Sequence, residues 1–174
     1  AAGQELSFCT QHTLPATAAY NEAKVDLGFT ADLYGSKSSS VFVTDRGFIY
    51  LSASSLKADF AGSDPSALDA WQGVPIIAPL WFDGDTSGAT PGAVTYGNSA
   101  DGSTFCALWS NLGHYSGIED SPNTFQLILQ SKTGAAGRSS GDVDITVNYD
   151  QVLWDGAGSR AVGYTAGDAT AGHF

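Results

Sequence analysis

Apolar residues recur at every second position along several stretches of this chain, the mark of strands with one buried face. Val25-Asp26-Leu27-Gly28-Phe29-Thr30-Ala31-Asp32-Leu33 alternates in this way and predicts a half-buried strand, with a turn over Tyr34-Gly35-Ser36-Lys37-Ser38 after it. Val41-Phe42-Val43 and Phe48-Ile49-Tyr50-Leu51 flank Thr44-Asp45-Arg46-Gly47. Gly47 takes a left-handed backbone conformation at little cost, so this segment predicts a β-hairpin. Val74 to Phe82 is apolar on both faces and should be deeply buried. Its prolines, Pro75 and Pro79, cannot donate to a ladder, which argues for a bent or edge strand. Ala93–Tyr96 and Thr104–Ser110 form a further pair around the loop-forming run Gly97-Asn98-Ser99-Ala100-Asp101-Gly102. Thr124–Gln130 follows, then a Gly- and Ser-rich segment from Lys132 to Gly141. Val143, Ile145, Val147 and Tyr149 alternate strictly, giving one core-facing row, and Arg160–Thr165 completes the series.

A single helix is expected, Asp64-Pro65-Ser66-Ala67-Leu68-Asp69-Ala70-Trp71, with Asp64 as cap and Pro65 in the first turn. Residues 1–22 read as an N-terminal arm and residues 23–174 as one domain without an internal linker or repeat. The fold class is therefore all-β: an antiparallel β-sandwich of about nine or ten strands with one short helix and the arm.

Charge narrows the function. Eighteen acids against seven bases leave a formal charge of −11, which argues against nucleic-acid binding and against an anionic membrane surface. It favours solubility, a cation or a basic partner. The longest apolar run, Val74 to Phe82, is far short of a membrane span. The chain contains no Met, and Ala1-Ala2-Gly3 is the kind of small-residue start that signal-peptide cleavage leaves, so a secreted or cell-surface protein is expected. In that setting Cys9 and Cys106 pair and close a loop of about 97 residues, stabilising by roughly 4–5 kcal/mol in the chain-entropy model. The alternative is two buried thiols.

Candidate chemistry is sparse. Asp83-Gly84-Asp85 places two carboxylates at i and i+2 on a turn, where they could serve a calcium ion with help from Asp142, Asp144 or Asp150. The competing role is capping of backbone amides. His12, His114 and His173 lack the spacing of a helical zinc pair. Gly97-Asn98-Ser99-Ala100-Asp101 fails the nucleophile-elbow pattern at its last position. Trp81 and Trp109 lie inside apolar strands and read as core, whereas Trp71 and Trp154 border loops and are the candidates to face a glycan.

The order of these segments resembles the nidogen-like (NIDO) extracellular domain of nidogens, tectorins and some membrane mucins. The likeness runs from about Leu27 to Phe174. It includes Leu27-Gly28-Phe29, Leu33-Tyr34-Gly35, Ser40-Val41-Phe42-Val43, Gly47-Phe48-Ile49 and Pro75-Ile76-Ile77-Ala78-Pro79-Leu80-Trp81 with Asp83-Gly84-Asp85-Thr86. Phe105-Cys106-Ala107-Leu108-Trp109-Ser110-Asn111, Asn123-Thr124-Phe125-Gln126-Leu127, Asn148-Tyr149-Asp150-Gln151-Val152-Leu153-Trp154 and Ala161-Val162-Gly163-Tyr164 follow in the same order. The resemblance implies a non-catalytic extracellular module for adhesion or assembly, whose partners are other extracellular proteins or copies of itself. Within that reading, Gln4-Glu5-Leu6-Ser7-Phe8 of the arm is expected to add a strand to a neighbour's sheet edge. The alternative is a carbohydrate-binding module; a hydrolase is more remote.

Overall fold

Period-two alternation becomes two antiparallel sheets. The computed structural model describes residues 6–60, 68, 71–88, 92–154, 160–169 and 171–172, and twelve strands lie among them. They are β1 (His12–Thr13), β2 (Glu22–Leu33), β3 (Ser36–Thr44), β4 (Ile49–Tyr50), β5 (Ile76–Trp81), β6 (Gly84–Asp85), β7 (Ala93–Asn98), β8 (Thr104–His114), β9 (Ile118–Ser131), β10 (Val143–Val152), β11 (Ala161–Thr165) and β12 (Ala171–Gly172). The first sheet has the order β1-β7-β8-β9-β10, with β6 also paired to β8; the second has the order β12-β11-β5-β4-β3-β2. The expected antiparallel sandwich is present, and four of the twelve strands are two-residue pairings, of which the sequence pattern predicts only β4, the second strand of the Gly47 hairpin.

The interior between the sheets is built from alternate residues. Phe105, Ala107 and Trp109 of β8 and Phe125, Leu127 and Leu129 of β9 meet Val41, Val43, Ile49 and Ile77 of the second sheet. Trp109 and Phe125 stack with ring centres 5.1 Å apart. Of the β10 row expected to face the core, Val143, Ile145 and Val147 pack against its margin and stay half-buried, whereas Tyr149, at the register shift between Tyr149 and Gln151, is exposed.

A second cluster covers the outer face of the second sheet. Phe42, Phe48, Tyr50, Ile76, Ala78 and Trp81 project there and meet Tyr20, Phe60 and Leu68. Phe60 closes α1 (Lys57–Phe60), with its ring 4.9 Å from those of Phe48 and Tyr50. This burial on both faces explains the continuous apolar run through β5.

Several expectations are corrected. β5 is not an edge strand, because it lies between β11 and β4. Pro79 is tolerated at a register shift: Ala78 faces Gly163 and Trp81 faces Ala161, so Pro79 and Leu80 together oppose Val162. The turn after β2 is only Tyr34-Gly35, both at positive φ (54° and 85°), and β3 already begins at Ser36. Most of the helix expected over Asp64–Trp71 lies outside the described residues, while α1 starts earlier, at Lys57.

From Leu6 onward the arm folds back onto its own first sheet. Ser7–Thr10 form a 3-10 turn, and His12–Thr13 pair with Thr95 and Tyr96 of β7. Leu14 is buried and donates its amide to the carbonyl of Val94 at 2.8 Å. Leu6, Ser7 and Phe8, expected to add a strand to a neighbour, are thus part of this folded-back arm, while Gln4 and Glu5 lie outside the described residues.

Candidate functional site

The sequence-predicted acids sit where β6 meets the end of β8, Gly84 opposite His114 and Asp85 opposite Gly113. The approach is close: a Cβ on Gly84 would stand 2.5 Å from the Asp45 carbonyl oxygen. Asp85 is buried, and its Oδ1 accepts the Ser87 amide at 2.7 Å and the Ser87 hydroxyl at 2.6 Å. Its Oδ2 accepts the Gly117 amide at 3.0 Å, tying β6 to the β8–β9 turn. Burial alone would raise the pKa of Asp85, but the Ser87 and Gly117 donors outweigh it and hold the carboxyl below its ordinary value.

Asp83 is bound to the guanidinium of Arg46. Arg46 Nε stands 3.9 Å from Oδ1 of Asp45. Asp45 is 1% exposed, its Oδ1 lacks a hydrogen bond, and its amide donates to the Asn21 carbonyl at 3.0 Å. Burial pushes the Asp45 carboxyl up to about 7, against the opposing pull of the Asn21 backbone N–H on that carboxyl and of the Arg46 charge. Calcium at Asp83 and Asp85 would have to displace Arg46 from one and the Ser87 and Gly117 donors from the other. Among the described residues no group of three or more His, Cys, Asp or Glu is placed to hold a metal ion.

Beside these acids, His114 stacks on Trp154 with ring centres 4.3 Å apart and planes 7° from parallel. The fully buried Asn123 fixes the chain leaving β10: its Oδ1 accepts the amides of Leu153 (3.0 Å) and Trp154 (3.2 Å), and its Nδ2 donates to the Trp154 carbonyl at 3.0 Å. Trp71, the other tryptophan expected to face a ligand, stacks on Phe60 at 4.7 Å and donates its indole N–H to the Val74 carbonyl at 2.9 Å. Both indoles are half-buried parts of aromatic clusters. Trp81 and Trp109 are buried in the core, as expected.

The surface here is apolar. Six large hydrophobic side chains are exposed among the described residues, and Tyr115, Ile118, Tyr149, Val152 and Leu153 are five of them; Tyr34 is the sixth. No Lys or Arg occurs from Asp83 to Ser131 or from Ser139 to Ser159.

Cys9 and Cys106 form a disulfide, which anchors the arm to β8. The buried Gln126 donates Nε2 to both sulfurs, at 3.3 and 3.4 Å, and accepts Asn148 Nδ2 at 2.8 Å. His12 stacks on Tyr96, and His173 lies outside the described residues. Sequence reasoning missed Asn123, Gln126 and Asp45. Each is a polar residue in a strand or turn, positions that ordinarily face water, and no spacing rule marks them.

Comparison with known proteins adds one match: a family model described as NIDO related covers residues 4–170. No curated protein and no solved structure matches the chain.

Proposed function

Because the chain belongs to the NIDO-related family, we propose that it is a non-catalytic extracellular module that makes protein–protein contacts in adhesion or assembly. Its partners on this reading are other extracellular proteins or copies of itself. The observation that carries the reading is the family match over nearly the whole chain. The Cys9–Cys106 disulfide supports an oxidising, extracellular setting. Large apolar side chains gathered at one end of the first sheet support contact with another protein, because such clusters mark interaction surfaces.

The test uses cells that produce the protein. Intact cells are treated with a membrane-impermeant biotin reagent, for which the exposed Lys37 amine is a target, and then with a membrane-impermeant crosslinker. The chain should be biotinylated before lysis and recovered in crosslinked species with another extracellular protein or itself. Labelling only after lysis, or labelled chain that never crosslinks, would sink the reading.

A further inference from the structure

We propose that the end of the first sheet formed by Tyr115, Ile118, Val152 and Leu153 docks a basic, extended segment of a partner protein, with Lys or Arg flanking an apolar side chain. The proposal rests on the protein-contact reading above and names its surface and the chemistry of the partner.

Strand pairing places these residues together. His114 is opposite Ile118 across the β8–β9 turn, and Asn123 is paired both with Leu112 of β8 and with Val152 of β10. The turn bearing Tyr115 and the chain bearing Leu153 thus flank one end, and the Trp154–His114 stack ties them to each other. Exposure is high for a cluster of this type, 65% for Tyr115 and 61% for Leu153.

The surface is held in place before any partner arrives. Tyr115 donates its amide to the Asp83 carbonyl at 2.8 Å, Gly117 donates to Asp85, and Asn123 holds Leu153 and Trp154. A preformed surface gives up little conformational entropy on binding.

Charge selects the partner. Asp120 and Asp150 are exposed on segments that contain no Lys or Arg, and Arg46, the base beside this end, is taken up by Asp83, so the exposed charge next to the apolar residues is acidic. Apolar anchors supply affinity, while an acidic frame speeds encounter with a basic partner and repels an acidic one. The same end of a second copy would bring the same acids and is disfavoured. An extended conformation suits the site because β10 ends the strand order of the first sheet, leaving its outer edge without a strand partner among the described residues.

The probe is the synthetic peptide acetyl-Gly-Lys-Leu-Lys-Leu-Lys-Gly-amide, titrated into the isotope-labelled full chain and followed by amide chemical shifts. One control peptide carries Glu for Lys and another carries Ser for Leu. Saturable shifts should centre on residues 114–118 and 149–154, weaken as salt rises and be absent with both controls. The double variant Ile118→Ser with Leu153→Ser should bind about tenfold more weakly, whereas Tyr34→Ser binds as the parent. Should the double variant lose its dispersed spectrum, Asp120→Lys with Asp150→Lys serves in its place with the same expected weakening. Absence of saturable shifts, shifts spread over other acidic surfaces, or equal binding by either control would overturn the proposal. So would self-association of the parent that the double variant abolishes, which would assign the surface to a second copy. Cell-surface crosslinks that survive the double variant would defeat this surface while leaving the protein-contact reading intact.

Discussion

The indole N–H of Trp109 on the first sheet donates to the backbone carbonyl of Thr44 on the second, at 2.8 Å, inside the core between them. Neither residue is exposed, and Thr44 also uses its hydroxyl to bind the Phe48 carbonyl at 2.8 Å, closing the β3–β4 hairpin. This polar bond ties the two apolar faces together inside the core, alongside those from Tyr149 to the Pro79 carbonyl and from Asn98 to the Asp26 carbonyl at the periphery. Trp109→Phe keeps an aromatic ring but strands that carbonyl in an apolar interior. We expect a loss of about 2–4 kcal/mol from the missing bond and the partial cavity, read from denaturant unfolding.

The buried carboxyl of Asp45 makes stability depend on pH. Its folded value of about 7 lies above its ordinary 3.8, so the folded state holds the proton more tightly. Stability should fall as pH rises from near 4 through about 7 and then level off, the reverse of a salt-bridged acid. Between pH 5 and pH 8 the expected loss is roughly 2–3 kcal/mol. Asp45→Asn should flatten this slope and raise the melting temperature at pH 8. An unchanged slope would show that Asp45 is not its origin. Asp85 has the opposite sign, since its lowered value adds stability that disappears on acidification, below the window that Asp45 governs.

Reduction of Cys9–Cys106 frees the arm and releases a long covalent loop, 97 residues in sequence separation. The expected cost is about 2–5 kcal/mol, measured as the shift in urea midpoint with and without reductant. Cys9→Ala with Cys106→Ala should cost at least as much as reduction, because it also removes the two sulfur acceptors of Gln126, which the reduced thiols keep.

Gly47 combines a φ of +79° with a site where a Cβ would lie 1.9 Å from the Leu80 carbonyl oxygen. Leu80 also donates its amide to the Gly47 carbonyl, so the strand cannot retreat without breaking the pairing that precedes β4. Gly47→Ala should cost more than about 3 kcal/mol. Gly35→Ala has a similar φ of +85° but nothing within 4 Å, and should cost only about 1 kcal/mol. Melting temperatures of the two variants separate crowding from backbone conformation.

Alternation was a good guide wherever one face meets the core and the other meets water. Val143, Ile145 and Val147 lie on the inner side of β10, and the hairpin turn at Gly47 falls where its backbone freedom suggested. Of the bent and edge readings of β5 only the edge one fails: a proline argues against an interior strand only when its position needs a donor, and the register shift at Pro79 removes that need. β9 begins at Ile118, six residues before the alternation predicts, since Glu119-Asp120-Ser121-Pro122 carries no apolar row. The candidate acids Asp83 and Asp85 were visible as a pair, but Arg46 and Gly117, which bind them, come from distant parts of the chain. Such partners emerge only when the sheets assemble.

The disulfide between arm and β8 has a mechanical corollary. Tension entering ahead of Cys9 and leaving through the last strands passes straight across the sulfur bridge into Cys106. The intervening stretch, including β2 to β7 and thus most of the second sheet, carries none of that load while the bond is intact. Oxidised, the pulled chain is shorter by roughly 300 Å than the reduced one, at about 3.3 Å for each residue held inside the bridge.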